Sequence, residues 1–115
     1  MKVIIAGSRG IFDYQRILDA VTESEFHITE VVSGKAMGVD QLGERYAKEN
    51  GITLKLFPAN WKEHGKRAGY LRNVEMAEYA DALIAVWDGV SNGTKHMIDI
   101  ATSNNLKVYT YFTPL

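Results

Sequence analysis

Short apolar runs of strand length alternate with amphipathic stretches of helix length along this whole chain, and that rhythm constrains the fold more than any other feature. Val3-Ile4-Ile5-Ala6 opens the series and closes on Gly7-Ser8-Arg9-Gly10. Residues 28–33, 53–57, 82–86 and 107–111 supply four more strand-like runs. Residues 13–25, 39–50, a segment ending near Ala80, and residues 94–104 read as helices between them. In the first helix Ile17, Leu18 and Val21 share a face, and Asp13 is placed to cap it. Leu42, Tyr46 and Ala47 face inward from the second, with Gly51 just past its end. Residues 58–66 read as a loop.

Strands that are apolar almost throughout are buried on both faces, which implies a parallel sheet covered by helices on each side. Right-handed crossovers then give a five-stranded, doubly wound α/β sheet. Ligands of such sheets lie beyond the C-terminal strand ends, at the point where the strand order reverses. The glycine pairs Gly7/Gly10, Gly34/Gly38 and Gly89/Gly93 all fall at those ends.

Composition narrows the function. At 115 residues and 46% hydrophobic, the chain is expected to form one domain, residues 1–115. A net charge of −1 does not favour nucleic acid. The absence of cysteine excludes disulfides and thiolate metal sites and is compatible with a reducing compartment. The N-terminal apolar run is too short for a signal-peptide core and no run could span a membrane, so a cytoplasmic protein is expected. His27, His64 and His96 have no metal-ligand spacing, so no metal is expected. There is no Walker run, no GxGxxG and no GxSxG elbow.

Three segments could carry chemistry. Ser33-Gly34-Lys35-Ala36-Met37-Gly38-Val39-Asp40 joins a strand to a helix, where small residues let backbone N–H groups and the helix N-terminus meet an anion. The plain alternative is a tight turn. Ser91-Asn92-Gly93-Thr94-Lys95 repeats the arrangement, and there Ser91 or Thr94 could simply cap the helix. Residues 62–73 hold Lys62, Lys66, Arg67 and Arg72 against the single acid Glu63. Such a run is usually a solvated face, but it follows the third strand and could overhang the crevice. Arg72, followed by Asn73, offers a planar fork to phosphate or carboxylate, unless it forms a surface ion pair with Glu75 or Glu78. Trp61 and Trp87 follow strands and could stack a base, although packing is the commoner role.

Taken together, Gly7-Ser8-Arg9, the SGxAxGVDxLGxxYA pattern over residues 33–47, FPANW over 57–61 and AGxxRNxEMAxxADALIAVWDGxSxGT over 68–94 resemble the SLOG superfamily. Those Rossmann-like domains are related to the DNA-uptake protein DprA and to the Lonely Guy phosphoribohydrolases. The nearest branch is the small stand-alone YspA/YpsA-related type. The resemblance implies binding of a nucleotide or a nucleotide derivative with no separate cofactor, with the glycine turns on phosphate. Ligand contacts are then expected from Gly7, Ser8, Arg9, Ser33, Gly34, Lys35, Ala36, Gly38, Asp40, Arg72, Asn73, Trp87, Asp88, Gly89, Ser91, Gly93 and Thr94.

Arg72 matches an Arg that the Lonely Guy enzymes use, but the position of their catalytic Glu, three beyond Thr94, is Met97. Their Pro-Gly-Gly is replaced by Trp87-Asp88-Gly89. This favours a binding module for a phosphorylated nucleotide or ADP-ribose-like molecule, serving as sensor, carrier or sequestering protein. A nucleotide N-glycosidic hydrolase would use Arg72 with a substitute carboxylate: Asp88 best placed, Asp40 and Glu75 behind it. A DprA-like nucleic-acid module is the third reading. The superfamily also implies a homodimer or larger assembly, and Tyr70, Tyr79 and Tyr111 suggest aromatic surface to cover.

Overall fold

A computed structural model describes residues 1–114. Five strands pair in the order β3-β2-β1-β4-β5, every pair parallel: β1 (Lys2–Gly7), β2 (Glu30–Ser33), β3 (Thr53–Leu56), β4 (Ala82–Trp87) and β5 (Lys107–Phe112). The helices are α1 (Tyr14–Ser24), α2 (Val39–Glu49), α3 (Trp61–His64), α4 (Ala68–Tyr79) and α5 (Asn92–Ser103). A 3₁₀ turn, Gly65–Arg67, links α3 to α4.

The alternation of strand side chains divides the core in two. Val3, Ile5, Val31, Ile84 and Val86 pack with Ile17 and Ala20 of α1 and Val39 and Ala47 of α2. On the opposite face Ile4, Ala6, Val32, Leu83 and Ala85 meet Met76 and Ala77 of α4 and Met97 and Ala101 of α5. The expected doubly wound, helix-covered sheet is therefore the observed one. Full burial on both faces holds for the inner strands; β3 and β5 are sheet edges and leave Lys55, Leu56, Lys107 and Phe112 exposed.

Two local expectations change. The loop over residues 58–66 contains α3, because Asn60 caps its N-terminus and binds Glu63 side chain to side chain. Asn60 Oδ1 accepts from the Glu63 N–H at 3.1 Å, and Asn60 Nδ2 donates to Glu63 Oε2 at 2.9 Å. The last helix starts at Asn92 rather than Thr94, with Ser91 as its N-cap residue. Asp13 caps α1 as expected, accepting from the Gln15 N–H at 3.1 Å.

The tyrosine argument for a covered surface is also corrected. Tyr79 packs beside the second core cluster and donates to Glu30, and Tyr111 packs against the first, so only Tyr70 of the three is broadly exposed.

Among the described residues no helix is long and apolar enough to cross a membrane.

Candidate functional site

The chain leaves β1 toward β2 on one side and later returns to β4 on the other, so the strand order reverses between β1 and β4. β1 and β4 approach closely at their C-terminal ends. A Cβ on Gly7 would overlap the Val86 carbonyl oxygen, so glycine sets the spacing there. Beyond these ends lies a cavity of about 440 Å³, within the range of small-molecule sites. A second cavity of about 280 Å³ adjoins it, and Arg9, Ala36, Trp61 and Arg72 line both.

The loops after β2 and β4 thus open onto one crevice. Ala36 and Asp40 line the larger cavity, as do Ser91, Gly93 and Thr94, and Gly7, Arg9, Arg72, Asn73 and Asp88 are the other expected residues on its wall. Gly34 and Lys35 line the smaller cavity.

Five candidate residues line neither cavity. Ser33 is fully buried and donates its hydroxyl to Glu44 Oε2 at 2.7 Å. Ser8 is buried and pins β1 to the β4 loop. Its hydroxyl accepts from the Asp88 N–H at 3.1 Å and lies 3.2 Å from Ser91 Oγ. Gly38 has φ +75°, and a Cβ there would meet the carbonyl oxygens of Arg9 and Ser8 at 2.5 and 2.6 Å. Gly89, at φ +83°, is backed by the Phe112 ring. Trp87 donates its indole N–H to the Ser91 carbonyl at 3.1 Å.

Arg72 is the centre of the arrangement. It is only 8% exposed, so it is no surface ion-pair partner of Glu75 or Glu78. Its Nη1 donates to the Gly34 carbonyl and its Nε to Asn73 Oδ1 at 3.0 Å. These bonds aim the guanidinium across from α4 to the turn after β2. Burial pulls its pKa below the usual value, and nearby Asp40 partly restores it. Asn73 also approaches His96 Nδ1 at 3.1 Å, and burial lowers the pKa of that imidazole.

The two carboxylates differ. Asp40, in the first turn of α2 and 4% exposed, is pushed up to about 6 by desolvation, against the pull of the Ala36 N–H and Arg72. Its Oδ2 accepts from Ala36 N at 3.2 Å, while Oδ1 has no partner among the described residues. Asp88 Oδ1 accepts from the N–H groups of Ser91 and Val90 at 2.9 and 2.8 Å, which holds its carboxyl below the usual range.

The turns after β2 and β4 therefore each satisfy some of their amides with their own carboxylate. The amides of the α5 first turn are different, because Ser91 makes no capping bond to them; its hydroxyl donates to Thr94 Oγ1 at 2.9 Å.

Trp61 and Lys66, raised from sequence as a possible base stacker and as part of the basic run, line the larger cavity, as do Gly69 and Tyr70, which were not expected as ligand contacts. The basic run and FPANW mark that stretch, but only the turn of α3 into α4 brings the residues to the crevice. No cluster of three or more metal-ligating side chains occurs among the described residues.

The fold and site define a doubly wound parallel α/β protein with a cationic, glycine-edged cavity at its switch point. Residues 1–64 match the model of the YspA, cpYpsA-related SLOG family, and this chain belongs to that family. The gene 61 protein of Mycobacterium phage D29 is 36% identical over 120 residues, an alignment spanning 96% of this chain and 95% of the relative. Family membership points to a nucleotide-related function.

Proposed function

We propose that this chain binds a phosphorylated nucleotide or nucleotide-derived, ADP-ribose-like small molecule in the switch-point cavity, as a sensor, carrier or sequestering protein. The observation that carries this reading is the charge of the cavity walls. Arg9, Lys66 and Arg72 line the larger cavity and Lys35 the smaller, in a chain of net charge −1. Asp40 and Asp88 are the carboxylates among them, and Asp88 is tied to its own turn. A buried guanidinium already fixed by two hydrogen bonds is preorganised for an anion. The uncapped first turn of α5 adds N–H donors on the same side as Thr94. Mass spectrometry of small molecules released from the purified protein tests the reading, followed by calorimetric titration with the compound found. Titrations in which no phosphorylated nucleotide binds, and none is released, would refute it.

One observation favours a second reading, hydrolysis of a nucleotide N-glycosidic bond. Asp40 has the elevated pKa that a proton donor needs, and it lines the same cavity. Asp88 fits that role less well, since hydrogen bonds favour its charged form. Release of free base from nucleoside 5′-monophosphates, abolished by Asp40→Asn and retained in Asp88→Asn, would select this reading over the binder.

A further inference from the structure

We infer that Trp61 and Tyr70 form the seat for the ligand's base, so that the base stacks on the α3–α4 wall while the phosphate lies toward Arg72. This rests on the reading that the cavity takes a phosphorylated nucleotide-like molecule, and it adds the orientation.

Among the described residues seven large apolar side chains stand exposed: Phe12, Met37, Leu56, Trp61, Tyr70, Val90 and Phe112. Of these, Trp61 and Tyr70, 49% and 47% exposed, line the larger cavity. Both rings are held from behind. Trp61 is the first residue of α3, and its ring edge rests on α4 where Gly69 has no side chain. A Cβ there would lie 3.3 Å from the indole Cη2. Tyr70 sits edge-to-face with His96, ring centroids 4.6 Å apart, and Asn73 in turn holds His96.

The Arg9 guanidinium lies over the Trp61 ring at 5.9 Å from its centroid. An exposed cation–π contact of that kind is worth about a factor of two to five. A stacked base is worth about five- to a hundredfold, so it can displace or join Arg9. The rest of the wall includes the apolar side chains Ala6, Met76 and Met97, which suits a flat apolar group. The cavity therefore offers π-faces together with guanidinium and ammonium groups, the two kinds of contact a nucleotide makes.

The experiment is calorimetric titration of AMP and ribose 5-phosphate into the wild type, Trp61→Phe and Trp61→Ala. Wild type is expected to bind AMP about tenfold or more tighter than ribose 5-phosphate. Trp61→Ala should erase that difference while leaving ribose 5-phosphate within about twofold, and Trp61→Phe should keep most of it. In Trp87→Phe protein, where Trp61 is the remaining tryptophan, AMP should change the emission and ribose 5-phosphate should not.

Equal wild-type affinities for the two compounds would overturn the base seat and leave the phosphate reading standing. Equal weakening of both by Trp61→Ala would assign Trp61 a structural role and also overturn it. If neither compound binds, the base seat and the phosphate reading fail together.

Discussion

Replacing Gly34 with alanine would place a Cβ 2.5 Å from Nη1 of Arg72, 2.8 Å from Cζ and 3.0 Å from Cδ. Arg72 is buried and its Nη1 is bonded to the Gly34 carbonyl, so the guanidinium cannot swing into solvent without losing that bond. Ordinary carbon contacts begin near 3.5 Å, so the head group must move by roughly 1 Å or more.

A displaced charged hydrogen bond costs about 1.5–3 kcal/mol. That is the loss of unfolding free energy expected in urea titrations of Gly34→Ala. Anion affinity should fall by about ten- to a hundredfold, although the charge is still present. Arg72→Ala should lose stability too, because the buried Gly34 carbonyl and Asn73 Oδ1 lose their donor.

The decisive measurement is the double variant. With Arg72 truncated, the three atoms nearest the methyl introduced at position 34 are gone, so Gly34→Ala/Arg72→Ala should be no less stable than Arg72→Ala alone. The coupling is then about as large as the cost of Gly34→Ala itself. If Gly34→Ala costs the same in both backgrounds, the contact is not what fixes Arg72, and the reasoning fails.

Asp40 makes stability depend on pH. Its native value of about 6 lies above the ordinary 3.8, so the native state holds the proton more tightly and stability falls as pH rises through that window. The full effect is at most about 3 kcal/mol; Asp40→Asn should flatten the profile between about pH 4 and 6 in urea titrations, and an unchanged slope would exclude Asp40 as its source. Gly38→Ala should destabilise strongly, because φ is +75° and the new Cβ meets two carbonyl oxygens, whereas Gly93→Ala has open space and should fold normally. Thermal melts of the two variants side by side check this. Asp88→Ala frees the amides of Val90 and Ser91 and should cost about 1–2 kcal/mol, and a neutral result would remove Asp88 as the organiser of that turn.

The sheet was legible because Val3, Ile5 and Ala82-Leu83-Ile84 carry a pattern that only a doubly covered parallel strand explains. The turns that would line the crevice were legible for the same reason: in a parallel sheet, every strand-to-helix loop opens on one end. α3 was readable in principle from Asn60 and Glu63, and went unread because four residues carry no helical period. That Ser33 and Ser8 serve the scaffold was not readable, since a serine in a turn looks the same whether its hydroxyl meets Glu44, the Asp88 amide or a ligand.

The sequence by itself determined the element order, the strand ends at which a site could lie, and the residue types brought there. Local patterning is enough for this, because period and turn chemistry act over a few residues. Only the tertiary structure decided that Arg72 reaches 38 positions back along the chain to the Gly34 carbonyl. It also decided that Asp40 is desolvated while Asp88 is held by its own turn, and that Trp61 and Tyr70 share a cavity with Arg9. Burial and long-range contact set these properties, and no window of neighbouring residues contains them.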